Sequence, residues 1–308
     1  MLYVHSHGHH HGTASVLKWS FVATVLFVIV EAAAGFHSGS LALVSDAGHN
    51  FTDALALVLA AIGVYMQSKP ADSVKTFGYH RAGVLTAFCN ALTLVAIAAF
   101  IFYEAWQRFV HPQHVEEWTM FWVALAALGL NGGIMWGLHR DKDRDINIRA
   151  AFVHMLGDGV SSLGIIAGAI AIHFTGLAAI DPVLSVLIGI LIVWTAWDII
   201  QESLNVLLEG LPRGMELNEV TKALGGIEGV INVHDLHIWS LGSSAHALSC
   251  HVLIEDMPPS ESNAILHRIN DVLAKHEIRH TTIQFEHTQC DAPCGMAVTT
   301  HPEHEHQH

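Results

Sequence analysis

Six apolar segments dominate this 308-residue chain, and each is long enough to cross a membrane as a helix. A bilayer core about 30 Å thick requires about 20 mostly apolar residues per helix. Lipid offers no hydrogen bonds to the backbone, so such segments are expected to be helical. A composition of 52% hydrophobic and 14% charged residues is also too apolar for an average soluble domain. The predicted spans are residues 16–36, 41–66, 82–108, 118–138, 150–174 and 180–206.

The distribution of Lys and Arg between the spans predicts the orientation of the chain. Cytoplasmic connections carry an excess of these residues. Here the basic residues concentrate in the connection after the second span and in the connection after the fourth, whereas the opposite side has Arg108. Both termini and both basic connections are therefore predicted to be cytoplasmic. The residues concerned are Lys69, Lys75, Arg81, Arg140, Lys142, Arg144 and Arg149.

Two copies of the spacing His-x-x-x-Asp lie inside predicted spans. His49 and Asp53 are in the second span, and His154 and Asp158 are in the fifth. Residues i and i+4 share one face of a helix, so each pair points an imidazole and a carboxylate the same way. Ionisable groups in a membrane helix are costly and usually mark a partner or a pathway. Two such pairs supply the four nitrogen and oxygen ligands that suit a divalent cation, zinc first.

Other acidic residues in the spans have less defined roles. The sequence Asp181-Pro182 is typical of a helix start, with Asp181 as the N-cap. Asp46 lies three residues before His49, and it either orients that histidine or caps the second span. Glu31 in the first span either faces an aqueous pathway or pairs with another helix. None of the three is predicted to be a metal ligand.

The hydropathy pattern changes after about residue 209. The order of predicted elements there is α-β-β-α-β, which indicates a small α+β domain with helices on one face of a sheet. Residues 209–308 hold five Lys and Arg against fourteen Asp and Glu, a formal charge of −9. This charge excludes a basic nucleic-acid-binding surface, so no nucleic-acid partner is expected. The domain is either an acidic solubility domain or a cation-binding domain whose self-repulsion a metal relieves.

Histidine-rich sequences stand at both ends of the chain. Short tracts of this kind are typical of metal binding, with tails that have no role as the alternative. Near the second tail, Cys290 and Cys294 stand beside His287 and would form half of a zinc site, completed by the N-terminal His7 and His9. The domain plan is a tail (1–15), a six-helix transport domain (16–208), a cytoplasmic domain (209–290) and a C-terminal tail (291–308).

Four motifs in this order resemble the cation diffusion facilitator family, and within it the bacterial zinc exporters. They are SDAGHNFTD in the second span, FGYHRAG before the third, VHMLGDGVSS in the fifth, and VHDLHIWSL after the last. The resemblance covers essentially residues 10–295. It implies a homodimeric exporter in the bacterial inner membrane, with six helices and a ferredoxin-like, metallochaperone-like cytoplasmic domain. It also implies exchange of cytoplasmic divalent metal for external protons.

The resemblance also assigns ligands by position. It implies a transport site formed by His49, Asp53, His154 and Asp158, a pattern similar to that of zinc-selective members. His80 matches a second site at the membrane–cytoplasm interface. Ligands of the cytoplasmic domain are implied at His234, His237, His251, His280 and Glu286.

The match in the cytoplasmic domain is partial. Gln284 stands where some members have a histidine, so one metal site per subunit is expected rather than a two-zinc cluster. His234 and His237 would face opposite sides of an ideal strand. Their participation in one site would require a bulge or a subunit interface.

The predicted function is zinc/proton antiport through the two-His two-Asp site. The alternatives are an exporter of Co²⁺, Ni²⁺ or Cd²⁺ and a membrane-anchored metal sensor. An enzyme is not expected, because the four intramembrane ligands would close the site and the His-Glu-x-x-His motif is absent from the sequence.

Overall fold

A computed structural model describes residues 10–139, 146–242 and 245–288. Six long helices come first: α1 (His10–Ser38), α2 (Leu41–Gln67), α3 (Ala82–Val110), α4 (Glu117–Leu138), α5 (Ile146–Thr175) and α6 (Ile180–Leu207). Five shorter elements follow: α7 (Leu217–Gly225), β1 (Val230–Ser240), β2 (His246–Ile254), α8 (Pro259–Lys275) and β3 (Ile278–Glu286). The predicted fold class, six helices followed by an α-β-β-α-β domain, is confirmed.

All six long helices are long and apolar enough to cross a membrane. Large apolar side chains are exposed along them; Trp136 is 84% exposed, Phe174 81% and Trp194 72%. An exposed apolar surface of this extent is unusual for a soluble monomer and suits contact with lipid. Two helices begin earlier than predicted, α1 at His10 and α5 at Ile146. Hydropathy marks the apolar part of a helix, whereas its backbone hydrogen bonds continue into the polar flank.

The chain divides into two compact units, and the first contains most of the six helices. It comprises the residues up to Ala61 and Thr86–Ile200. One apolar cluster joins α4 and α5 to the beginning of α2 through residues such as Leu43, Met120 and Ile165. A second cluster joins α3 to α6. The first cluster fixes the two helices that carry the His-x-x-x-Asp pairs, α2 and α5.

The turn between α1 and α2 requires a glycine. Gly39 has φ of +68°, and a Cβ there would lie 2.7 Å from the carbonyl oxygen of His114. Any other residue at this position would strain the left-handed backbone and collide with this oxygen atom.

Asp181 caps a different helix from the one that the sequence predicts. The helix α6 already begins at Ile180, and the buried Asp181 carboxylate accepts hydrogen bonds from the backbone N–H groups of Leu41 (2.7 Å) and Ala42 (3.2 Å). It also accepts one from the hydroxyl of Ser40 (2.6 Å) and pairs with Arg108 (3.3 Å). The predicted N-cap of α6 is therefore wrong. An N-cap motif in the sequence cannot reveal that a second helix start lies within reach.

The second unit comprises Ile62–Leu85 and the residues from Gln201 onward. Its sheet has the order β1-β2-β3, with β1 and β2 antiparallel and β2 and β3 parallel. Alternate residues of β2, Leu248, Cys250, Val252 and Ile254, belong to a core that also contains side chains of α7 and α8. Because side chains alternate along a strand, His251 lies on the opposite face of the sheet.

A bulge interrupts β1 where two of the predicted ligands stand. The pairing with β2 shifts between His234 and His237, and Asp235 has φ of +50°. A bulge re-aims the side chains around it. The strand therefore departs from the strict alternation by which His234 and His237 would face opposite sides.

Candidate metal centres

The first candidate metal centre lies between α2 and α5. The Nε2 atom of His49 is 3.6 Å from Asp53 Oδ2 and 3.8 Å from Asp158 Oδ1. The Nε2 atom of His154 is 3.3 Å from Asp53 Oδ2 and 3.7 Å from Asp158 Oδ2. Each imidazole thus faces both carboxylates, one of its own helix and one of the neighbouring helix. The structure brings together all four residues that the sequence predicts for the transport site.

These separations suit a small tetrahedral ion. Ligand atoms bound to zinc at about 2.0 Å in a tetrahedron lie about 3.3 Å apart. His49, Asp53 and Asp158 can each place a ligand atom within 4.8 Å of the other two. His154 stands outside that set, although its Nε2 approaches both carboxylates. Its side chain is also the most open, 41% exposed compared with 5% for Asp158.

Asp53 supplies a further indication that the site suits a cation. Its Oδ2 atom is buried, and no donor in the described part of the chain makes a hydrogen bond of normal geometry to it. A buried carboxylate oxygen without such a bond is costly unless a cation neutralises it.

The second candidate centre is on the sheet face opposite the helices. His234 of β1 pairs directly with His251 of β2, and Glu286 ends β3. Glu286 Oε2 is 3.1 Å from His234 Nε2, and its Oε1 is 2.9 Å from His251 Nδ1. Gln284 donates a 3.0 Å hydrogen bond to Glu286. Two imidazoles and a carboxylate are a donor set that suits zinc.

The other predicted ligands of the C-terminal domain lie apart from this cluster. His237 is exposed and pairs with Asp235 at 3.0 Å. The rings of His280 and Phe77 meet edge to face, with their centroids 5.1 Å apart. His280 also lines an open groove together with His80 and His246. His287 is exposed. The predicted ligands Cys290, Cys294, His7 and His9, with both tails, lie outside the described residues.

The segment before His80 is a turn held by Asp72. Its carboxylate accepts hydrogen bonds from the backbone N–H groups of Lys75 and Val74, both at 2.7 Å, and from the hydroxyl of Tyr79 at 2.8 Å. These bonds, that of Lys75 foremost, hold the pKa of Asp72 below its usual range. The bond to Asp72 in turn raises the pKa of Tyr79. The turn is therefore fixed near neutral pH by an ionised carboxylate.

The two cysteines of the described residues differ in exposure. Cys89 is exposed and Cys250 is buried. Burial raises the pKa of the Cys250 thiol to about 12. Because a metal binds the thiolate, Cys250 is a core side chain rather than a ligand.

Three further acidic groups, none of them predicted to be a metal ligand, lie near the candidate centres. Asp235 Oδ2 lies 3.8 Å from His251 Nε2 because the bulge turns it toward the cluster. Asp46 of α2 accepts a 2.6 Å hydrogen bond from Ser161 of α5. Glu31 of α1 is completely buried and accepts one from Asn50 at 3.3 Å. The signal for Asp46 and Glu31 is their charge in an apolar segment, but the sequence does not identify their partners.

Six membrane-length helices, two of which bring two His and two Asp side chains together, define a multi-pass membrane protein with a candidate metal centre between its helices. The chain belongs to the cation efflux family, the cation diffusion facilitators. Residues 17–208 match the cation efflux transmembrane domain, and residues 212–288 match the cytoplasmic domain of cation efflux proteins. The resemblance seen in the four motifs is thereby confirmed.

Several relatives match over nearly their whole length. "Zinc transporter ZitB" of Pectobacterium atrosepticum is 42% identical, over 93% of this chain and 90% of the relative. The "cadmium, cobalt and zinc/H(+)-K(+) antiporter" of Bacillus velezensis is 36% identical, over 99% of both chains. "Metal cation efflux system protein CzcD" of Cupriavidus metallidurans is 40% identical, over 93% of this chain and 91% of the relative.

One solved structure also matches, the metal-bound C-terminal domain of the CzcD transporter. Its sequence is 40% identical, and the match covers 23% of this chain and 99% of that chain, with a TM-score of 0.22. The family is one of transporters rather than enzymes, and its function is metal cation efflux.

Proposed function

We propose that this protein exports Zn²⁺ from the bacterial cytoplasm in exchange for protons. The observation that carries this proposal is the convergence of His49, Asp53, His154 and Asp158, with each imidazole 3.3 to 3.8 Å from both carboxylates. Two nitrogen and two oxygen ligands at tetrahedral spacing favour zinc over harder cations, which prefer more oxygen ligands. In this proposal the protein lies in the inner membrane with both termini in the cytoplasm, as the basic connections indicate.

Proton coupling follows from competition for the same atoms. A metal ligand must be deprotonated, so every bound proton opposes the binding of zinc. Histidine has an ordinary pKa of about 6.5 and changes its charge in the physiological range. A more acidic exterior therefore protonates His49 or His154, and zinc is released on that side. The protein then returns to its inward-facing state with the proton bound.

The placement of the four ligands on two helices supports alternating access. All four come from α2 and α5, so a small movement of this pair relative to the other helices would open the site to the opposite side. Rocking of helices about a site near the midplane is the general pattern of secondary transporters. His154 is the most exposed of the four ligands.

A broader substrate range is the second candidate. The Bacillus velezensis relative is named for cadmium, cobalt and zinc. Nitrogen and oxygen ligands also bind Co²⁺, Ni²⁺ and Cd²⁺, and selectivity among these ions depends on geometry. A membrane-anchored sensor is the third, and it would bind zinc without moving it.

The cluster of His234, His251 and Glu286 is proposed to bind a further Zn²⁺ with a regulatory or structural role. Its three side chains can place ligand atoms within 4.8 Å of one another. The proposed assembly is a homodimer, and the acidic C-terminal domains would repel each other until metal binds. The interface residue His80 remains a predicted ligand. So do the other histidines of the cytoplasmic domain, His237, His280 and His287, and the tail residues Cys290, Cys294, His7 and His9.

The test is stopped-flow zinc uptake into proteoliposomes with an imposed pH gradient. We expect uptake by the wild type to depend on the gradient and to be lost in Asp53→Ala and in Asp158→Ala. Glu202→Ala is the control, because Glu202 is an exposed acid on α6 that pairs with Arg213. Full uptake by either ligand variant would refute the site. Zinc binding without uptake by the wild type would favour the sensor, and uptake of cadmium or cobalt at equal rates would favour the broader exporter.

A further inference from the structure

A pair of buried carboxyl groups lies beside the transport site without belonging to it. Glu31 of α1 is 0% exposed and Asp46 of α2 is 2% exposed. The histidines of the transport site form their ion pairs, within the described residues, with Asp53 and Asp158. No Lys or Arg of the described residues pairs with Glu31 or Asp46. The two acids thus form a separate polar group in the apolar interior.

The hydrogen bonds of the pair require an acid proton. The carboxyl groups of Glu31 and Asp46 lie within hydrogen-bonding reach of each other, since Glu31 is bonded to Asn50, one turn after Asp46 on α2. Asn50 donates to Glu31 Oε2 at 3.3 Å, and Ser161 donates to Asp46 Oδ1 at 2.6 Å. The buried Oε1 of Glu31 receives no hydrogen bond from any donor in the described part of the chain. Because ionised carboxylates only accept hydrogen bonds, the bond between the two acids needs a proton on one of them.

Electrostatics leads to the same conclusion. Two ionised carboxylates in contact within a membrane helix bundle would each lose hydration and repel the other. One shared proton lowers the charge of the pair from −2 to −1 and supplies the missing donor. We propose that Glu31 and Asp46 hold one exchangeable proton and form a proton-binding site that is separate from the zinc ligands. This inference rests on the zinc/proton exchange proposed above.

The surroundings of the pair couple it to the transport site. Asp46 lies one turn before His49 on α2, so the two side chains project from the same side of the helix. Glu31 accepts its hydrogen bond from Asn50, the residue that follows His49. Ser161, which lies one turn after Asp158 on α5, donates the hydrogen bond to Asp46. A doubly charged cation among the four ligands therefore favours the ionised pair, and a proton on the pair weakens cation binding.

The proton balance of the exchange is simple. On the outward side, a proton from the external solution binds the ionised pair, and the charge of the pair changes from −2 to −1 as zinc leaves. On the inward side, zinc binds the four ligands and the same proton passes to the cytoplasm. The pair would thus carry one counter-transported proton per cycle in addition to any proton carried by the ligands.

Two isosteric variants of the full-length protein in lipid nanodiscs test the proposal. Glu31→Gln and Asp46→Asn each replace an acid by an amide that can donate to the remaining carboxyl group, so the fold is expected to persist. Glu202→Gln is the control, since it makes the same chemical change in an exposed acid. Infrared difference spectra should show the C=O band of a protonated carboxyl group in the metal-free wild type at neutral pH, with loss of that band on addition of zinc. The band should be absent from both variants and present in the control.

Equilibrium binding of zinc provides the second readout. For the wild type, the plot of log affinity against pH should be steeper than for Glu31→Gln by one proton per zinc, because the variant has no exchangeable proton at the pair. A carboxylic acid band that survives in both variants, or that does not respond to zinc, would overturn the proposal. An unchanged pH slope would also overturn it, since the proton would then be a permanent structural one. If wild-type proteoliposomes show no proton-coupled flux, the exchange itself fails, and the band and slope still decide whether the pair binds an exchangeable proton.

Discussion

At the scale of the residue, Asp181 makes polar contacts to four other residues of the described part of the chain. Its buried carboxylate accepts hydrogen bonds from the first backbone N–H groups of α2 and from the hydroxyl of Ser40. It also forms an ion pair with the guanidinium group of Arg108. Arg108 also donates to the carbonyl oxygen of Gly39, just before α2. Asp181 thereby ties the start of the ligand-bearing helix α2 to α6 and α3.

We predict that Asp181→Ala destabilises the protein strongly. It removes the buried partner of Arg108, whose side chain is 10% exposed, and the acceptor of two N–H groups, and breaking a buried ion pair costs about 3–5 kcal/mol. Thermal unfolding in detergent should show a large fall in the melting temperature. The exposed pair of Glu202 and Arg213 is the control, because Glu202→Ala is expected to cost about 0–1 kcal/mol. Equal melting temperatures for the two variants would contradict this role of Asp181.

At the scale of the element, α1 approaches the beginning of α2 closely at Gly35. A Cβ at this position would lie 2.9 Å from Val44 Cγ2 and 3.0 Å from the backbone nitrogen of Val44. A backbone atom cannot move aside as a flexible side chain can. Gly35 therefore sets the separation between α1, which carries Glu31, and α2, which carries Asp46.

Gly35→Ala is predicted to be less stable than Gly164→Ala. Both changes replace glycine by a better helix former, which gains about 1 kcal/mol in a helix interior. Gly164 has no atom within 4 Å of its would-be Cβ, so that variant should keep the gain. Overpacking at Gly35 should make the first variant about 1–3 kcal/mol less stable than the second. Paired thermal unfolding measures the difference, and a Gly35→Ala protein as stable as the control would show that α1 and α2 separate freely.

The bulge in β1 depends on the left-handed backbone at Asp235. Aspartate tolerates a positive φ, glycine adopts it freely, and a β-branched residue does not. Asp235→Val should therefore be less stable than Asp235→Gly by about 1–3 kcal/mol, although both lose the same carboxylate. Circular dichroism during heating compares the two variants. Identical unfolding curves would mean that the bulge can relax without cost.

These elements also show what the sequence could and could not predict. The i, i+4 spacing of His49 with Asp53, and of His154 with Asp158, is local, so a helix fixes which side chains share a face. The partners of Asp181 and Glu31 come from other helices, and their contacts arise from packing that one sequence does not reveal. Period-2 alternation placed His234 and His237 on opposite faces, and a single bulge changed that arrangement.

At the scale of the whole molecule, charge dominates the proposed dimer. Residues 209–308 carry a formal charge of −9 in each subunit, and two such domains side by side repel each other. Zinc bound by His234, His251 and Glu286 would add two positive charges to each domain. Salt screens this repulsion beyond the Debye length of about 8 Å at physiological ionic strength. The charge of the bound zinc should therefore matter most where the two domains lie close together.

We therefore predict that zinc shortens the distance between the C-terminal domains of a homodimer. A spin label at Asn263→Cys, an exposed position of α8, reports this distance by pulsed electron paramagnetic resonance. Cys89, Cys290 and Cys294 are replaced by serine, whereas Cys250 can stay, because burial raises the pKa of its thiol to about 12 and leaves almost no reactive thiolate. The distances should shift to shorter values with zinc and return with a chelator.

His234→Gln is the matched control for this prediction, since it removes one zinc ligand and leaves the formal charge of the domain unchanged. It should need a higher zinc concentration for the same contraction, because two of the three ligands remain. If His234→Gln contracts at the wild-type zinc concentration, the ions act by general screening and not through the cluster on the sheet. If the wild-type distance does not change, repulsion between the acidic domains does not control their separation, and a metal bound there must act within one subunit.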